Sequence, residues 1–439
     1  MRTHLAGFTF IILVCAKSAF ALNVASAAAE FEATDDMVIA GSIHAMKAKG
    51  QEGKLRAVAT VLRNGNAKFA IVACDVLFIT RQQLQPVLEE VEKIAGIPPA
   101  HVLVNATHTH HAPSTVRVHG YGPDERFIKT MQAGILKAIV EANSRLTNEE
   151  CRFRFHLGRE ETVGQNSRMK LSDGMINWIG GESVRPTGPF DPELPVFVFA
   201  DAADKVVSLF FNHSTHTIGT VSGSKRSPSF YGLAAQEIET DIGGHVTFLE
   251  GASGSTHNLS VSAAEAAKRI KAAVLAAMAK AKDRPVTRVA SIKRPFKFKI
   301  RKFDEAKEEE AVTRYCLKNA GEYGKTVPPV FREMRKELAP LQGQERETVL
   351  QAMLIGDVAI VGVPAEYFTK LGLDIKNRSP FRYTYVAELA NDWIGYLPDL
   401  DAHKLGGYQC WMGFHSYAEE GTGERVVDEI IDMLEALKK

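Results

Sequence analysis

At 439 residues the chain is long for one ordinary domain and short for three. Hydrophobic residues make up 45% and charged residues 24%, a globular composition that excludes disordered and fibrous classes. Lysine plus arginine (53) balances aspartate plus glutamate (52) at a net charge of +1, so no basic excess marks a nucleic-acid partner.

In chain order, Arg2 and His4 precede the apolar run Leu5–Ala16, and Ala19-Phe20-Ala21 fits an A-x-A cleavage site. This predicts a secretory signal peptide over residues 1–21, with a later cut within Ala25–Ala29 as the other option. The run is too short for a spanning helix, and nothing later is long and apolar enough. The expectation is a secreted or periplasmic protein with no transmembrane segment. Without Cys15, the cysteines are Cys74, Cys151, Cys316 and Cys410. Export permits disulfides among them, but Cys74 ends the apolar run Phe69–Cys74 and reads as a buried free thiol. No C-x-x-C is present, which argues against a thiolate metal site.

Ala57–Leu62 and Phe69–Phe78 read as neighbouring strands across Asn64-Gly65-Asn66, a turn sequence. Gln83–Ala95 has helical spacing and stops at Gly96. His101–Ala106 is strand-like, and Arg126–Leu146 is an amphipathic helix. Leu194–Ala200 and Val206–Asn212 pair across Asp201–Asp204, His245–Leu249 is a further strand, and Ser260–Lys282 is an alanine-rich helix. The charged segment 303–341 reads as a helical insertion. Val349–Val363 holds two apolar runs around Gly356-Asp357, and Val426–Leu437 closes the chain as an amphipathic helix. Strands interleaved with helices predict an α/β fold. Adjacent strand pairs that look like hairpins favour mixed sheets flanked by helices in a layered sandwich. No internal repeat and no dividing linker is visible.

The histidines cluster at predicted strand ends, where α/β proteins collect functional groups. Thr107-His108-Thr109-His110-His111 follows one strand, and His108 and His110 share a face in extended chain. Phe211-Asn212-His213-Ser214-Thr215-His216 ends a second. Gly251-Ala252-Ser253-Gly254-Ser255-Thr256-His257-Asn258 follows a third, its small residues suited to close backbone approach. Neutral imidazole is a common zinc ligand, so two such clusters point to a shared metal. Glu366, after Val361-Gly362-Val363-Pro364-Ala365, could complete a zinc site or equally cap the next helix. Tyr396 is a rarer kind of oxygen donor.

In order and local motif the chain resembles the catalytic region of the neutral/alkaline, non-lysosomal ceramidase family, from about Met37 to the C-terminus. The matching motifs are His108-Thr109-His110, Asn166-Ser167-Arg168 with Asp173-Gly174, the strand-end His213, Gly251–Asn258, Pro364-Ala365-Glu366, Gly395-Tyr396 and Gly406-Gly407-Tyr408. The resemblance implies a ceramidase-like catalytic domain over residues 37–439 and a zinc amidohydrolase. Carried over residue by residue, it places His108, His213, Glu366 and Tyr396 on zinc, His110 behind the zinc ligands or handling protons, and Arg168 against substrate or an oxyanion. In the family's glycine-rich loop a serine is considered catalytic. Here His257 stands near its place, and Ser253 and Ser255 are out of register. No immunoglobulin-like domain is expected after the catalytic region.

The reading is therefore an exported zinc-dependent hydrolase that cleaves an amide, ceramide-like N-acyl, or an ester bond with metal-activated water. Its partner is a small-molecule or lipid-like amide, and His110, His257 and Arg168 are the catalytic candidates. The alternative is a non-catalytic protein that keeps the fold and binds a glycan or lipid.

Overall fold

The computed structural model describes residues 21–178, 183–258 and 261–439. The signal-peptide run Leu5–Ala16 lies outside the described residues, as does Ser260 at the start of the expected alanine-rich helix. No helix among the described residues is long and apolar enough to cross a membrane.

The first sheet comprises β1 (Leu22–Glu30), β2 (Arg56–Asn64), β3 (Ala67–Cys74) and β4 (Val102–Ala106). The first three are antiparallel, and β4 returns parallel to β3 through helix α1 (Arg81–Ala95). A capping box between Thr80 and Gln83 starts α1, and Gly96 ends it at φ +63°. Helix α2 (Glu125–Ser144) then lies over β1 and β2 beside α1.

This arrangement recurs twice. In the second sheet β5 (Arg152–Arg159), β6 (Glu193–Ala200) and β7 (Val206–His213) are antiparallel. Helix α3 (Ser229–Ile242) leads to β8 (His245–Glu250) parallel to β7, and α4 (Ala263–Lys280) packs beside α3. In the third, β9 (Val289–Lys299) is followed by helices α5 (Glu305–Asn319) and α6 (Val327–Leu338). Then β10 (Glu345–Ile355) and β11 (Val358–Val363) complete the antiparallel set. Helix α7 (Thr369–Arg378) leads to β12 (Tyr383–Glu388) parallel to β11. After a short helix α8 (Leu400–Leu405), α9 (Thr422–Lys438) packs beside α7. The chain is thus a threefold repeat of one βββαβα unit, which the sequence does not display. The repetition is one of topology, and different side chains fill equivalent places in each unit.

Strand alternation explains how the units assemble. One face of each sheet contributes to a common core: Phe69, Ile71 and Leu103 from the first, Phe155, Phe197 and Phe210 from the second, Met353, Ile360 and Tyr385 from the third. The other face packs under the unit's own helices, as Val72 and Val104 do with Ile135. The α/β class with mixed sheets flanked by helices holds, and residues of the three sheets share one core. The sheet begins ahead of Met37, since β1 pairs with β2 over Leu22–Glu30 and is almost wholly buried. A cut after Ala21 would leave β1 whole, whereas a cut within Ala25–Ala29 would remove most of it. Cys74, Cys151, Cys316 and Cys410 are all buried free thiols.

Candidate metal centre

The carboxyl ends of the parallel strands from all three units meet at one end of the common core. β4 leads into His108, β7 into His216, and β11 into Glu366, whose short ladder with Tyr396 follows β12. His108 and His216 are fully buried, and Glu366 is 2% exposed.

Hydrogen bonds on the far nitrogens orient both imidazoles. His216 Nδ1 meets the Ser253 carbonyl at 2.9 Å, and His108 Nδ1 faces the Leu77 carbonyl at 3.4 Å. A carbonyl accepts only, so each Nδ1 holds the proton and each Nε2 turns a lone pair inward. His108 Nε2 and His216 Nε2 each lie 3.6 Å from Glu366 Oε1, and His216 Nε2 is 3.0 Å from the Tyr396 hydroxyl. His110 Nε2 sits 3.3 Å from His108 Nε2, and the ligand atoms of His108, His110 and His216 fall within 4.8 Å of one another. Glu366 is steadied from behind, its Oε2 accepting from Trp393 Nε1 at 3.3 Å.

The backbone is fitted closely around these groups. His108 holds φ at +60°, a region costly for a non-glycine residue and concentrated at functional sites. A Cβ on Gly254 would lie 2.4 Å from the Glu366 carbonyl, so only glycine passes there. Burial, reinforced by neighbouring imidazoles, holds His108, His110 and His257 well below the usual histidine range. They are therefore neutral, the state that binds a cation or accepts a proton. Burial first, then the Glu366 charge, pushes the Tyr396 phenol up. Inward lone pairs, a carboxylate and a phenol in one buried pocket fit a cation of the zinc type, which takes nitrogen and oxygen donors.

The centre opens into a cavity of about 440 Å³, reached by His110, His216, His257 and Tyr396 and walled by Ile43, Met46, Trp178, Ile218, Val327 and Tyr408. His257 stacks on His216 with ring centroids 4.3 Å apart.

Two expected residues stand elsewhere. His213 is not at the centre. Its Nδ1 lies 2.5 Å from the Tyr231 hydroxyl and its Nε2 2.9 Å from the Glu160 carbonyl. It is the last residue of β7 and shares the outer face with Leu209 and Phe211, toward α3 and α4. His216, three residues on, takes the inward place. The alternation Leu209, Phe211, His213 was the available signal. Arg168 makes no contact with the centre either. It is 1% exposed and donates to Gln409 Oε1 and to the carbonyls of Ala402 and Gly406. The partners that let it be buried come from helix α8 and the residues just after it, far along the chain and beyond the reach of local motif reading. The loop serines are also engaged: Ser253 Oγ donates to Glu388 Oε1 at 2.7 Å, and Ser255 Oγ bonds Thr369 Oγ1 at 3.1 Å.

No protein-family model matches the sequence, and no curated protein matches it. Solved structures do. The neutral ceramidase from Pseudomonas aeruginosa matches with a TM-score of 0.72 and 17% identity, over 95% of this chain and 74% of that one. A structure described as ceramidase complexed with C2 matches with a TM-score of 0.74 and 16% identity, over 95% and 75%. The fold is ceramidase-like. Within this fold the histidine cluster lies where the three units converge, so its placement follows from the topology.

Proposed function

We propose that this chain is a zinc-dependent hydrolase that cleaves an N-acyl amide, or an ester, with metal-activated water. One observation carries the reading: His108 Nε2, His216 Nε2, Glu366 Oε1 and the Tyr396 hydroxyl converge at the foot of a cavity, with both imidazoles oriented by backbone carbonyls. Zinc held there supplies carbonyl polarisation and lowers the pKa of water to about 7. The protein's own groups do the rest. His110 and His257, neutral and on the cavity, accept and return the proton. Ile43, Met46, Trp178 and Val327 exclude water and pack on the substrate's apolar part. Ser253 and Ser255 serve the loop's hydrogen bonds. The apolar run at Leu5–Ala16 supports export by a signal peptide.

The test pairs elemental analysis of protein purified without chelator with a panel of amides and esters. About one zinc per chain is expected, with hydrolysis lost on chelation and restored by zinc. Full zinc with no hydrolysis across the panel would favour the non-catalytic binding protein.

A further inference from the structure

Two amide side chains on the cavity wall are held from behind, one by a guanidinium that fixes its polarity and one by a tyrosine hydroxyl. A guanidinium only donates, so the Gln409 atom that Arg168 meets at 3.0 Å is the oxygen. Arg168 is itself held by the Ala402 and Gly406 carbonyls. The Tyr315 hydroxyl donates to Asn177 Oδ1 at 3.3 Å. With these pairings Gln409 Nε2 and Asn177 Nδ2 remain as donors without a protein partner among the described residues, and both residues line the cavity over the candidate metal centre. On the same wall the Trp178 and Tyr408 rings stack at 4.5 Å and 4°. His119 Nε2, 3.1 Å from the Tyr408 hydroxyl, holds that ring in place, and its centroid is 6.0 Å from Tyr396.

An aliphatic chain pressed on this wall would strip water from two amide groups and return no hydrogen bond, which is unfavourable. Oxygen acceptors would satisfy them. A flat aromatic stack one ring away from the metal centre suits the C–H face of a saturated ring. The cavity of about 440 Å³ lies in the range that encloses one compact ligand.

We infer that the substrate is a compact N-acylated amine borne on an oxygen-rich ring, of the N-acetylhexosamine kind. Its oxygens accept from Gln409 Nε2 and Asn177 Nδ2, and its flat face lies on the Trp178–Tyr408 stack. The inference rests on the hydrolase reading, because the acyl amide must reach the centre at His108, His216, Glu366 and Tyr396. Arg168 is then a positioning residue that acts through Gln409.

The experiment is calorimetric titration of the full chain with N-acetylglucosamine, alongside assays for release of glucosamine and for cleavage of N-hexadecanoyl ethanolamine. Saturable binding is expected. Gln409→Leu and Asn177→Leu should each weaken it about three- to tenfold, the worth of one hydrogen bond, and Trp178→Ala should weaken it further. Two amide variants on different loops keep the test open if one fails to fold. Absence of saturable binding, or binding that none of the variants changes, overturns the inference. Cleavage of the long-chain amide without sugar binding overturns it while sparing the hydrolase reading. Variant-sensitive binding with neither amide cleaved supports the ligand class and counts against the hydrolase reading.

Discussion

Ser253 shows how a loop serine can be fully engaged in holding a site together. Its carbonyl orients His216, its N–H and hydroxyl both donate to the buried Glu388 carboxylate, and Glu388 also accepts from Tyr367 N, next to Glu366. One carboxyl group thus ties the loop that orients His216 to the segment that carries Glu366. Ser253→Ala should cost about 1–3 kcal/mol of stability, because it leaves an oxygen of the buried Glu388 carboxyl group short of a partner, yet leave most of the turnover. His257→Ala should do the reverse, with folding intact and the rate down by roughly 10²–10⁴. Denaturant titration and steady-state assays on both variants check this, and a covalent acyl adduct trapped on Ser253 would contradict it. At this scale the sequence told much. The clusters at His108 and His216 and the carboxylate of Glu366 are legible as strand-end donors, and Tyr396 as a rarer oxygen donor beside them. The choice between His213 and His216 turned on strand parity, and Arg168 on contacts more than 230 residues away in the chain.

The elements meet through a few polar ties at their ends. Asn105, the residue before the last in β4, accepts from Glu250 N at the end of β8 at 2.9 Å and donates to the Glu388 carbonyl at the end of β12. One fully buried amide therefore ties all three sheets together beside the candidate metal centre. Asn105→Ala leaves a backbone donor and a backbone acceptor buried without partners and should cost about 3 kcal/mol. A chemical-denaturation midpoint within experimental error of the parent would contradict this. Long, strongly periodic elements were readable from sequence, among them α1, α2, α4 and α9 and the β2–β3 and β6–β7 pairs. The strands β1, β5 and β9 were not. Alanine-rich Leu22–Glu30 merges with the small residues after the apolar run. Arg152–Arg159 and Val289–Lys299 alternate basic with apolar residues and lack a strong apolar run. Each is the first strand of a unit, so missing them also hid the repeat.

At the scale of the whole molecule, burial of neutral imidazoles sets the response to acid. Burial lowers His415 to about 4 and, with the Arg301 charge, His403 to about 3. The unfolded chain takes up protons near 6.5 while the folded chain resists, so this stability is full above about pH 6.5 and is lost as pH falls toward 4. Urea unfolding between pH 8 and 5 should show stability falling with acid, and His415→Leu should flatten that slope. An unchanged slope would contradict the assignment. The same convergence makes the metal centre a joint property of three units: His108 from the first, His216 from the second, Glu366 and Tyr396 from the third. A cation there should bind the folded chain far better than the unfolded one and raise the melting temperature. The most direct test measures zinc content and thermal midpoint together for the parent, His216→Ala and His213→Ala. His216→Ala should lose both the zinc and the zinc-dependent rise in melting temperature, whereas His213→Ala should melt lower but keep its zinc. Full zinc in His216→Ala, or loss confined to His213→Ala, would contradict the account.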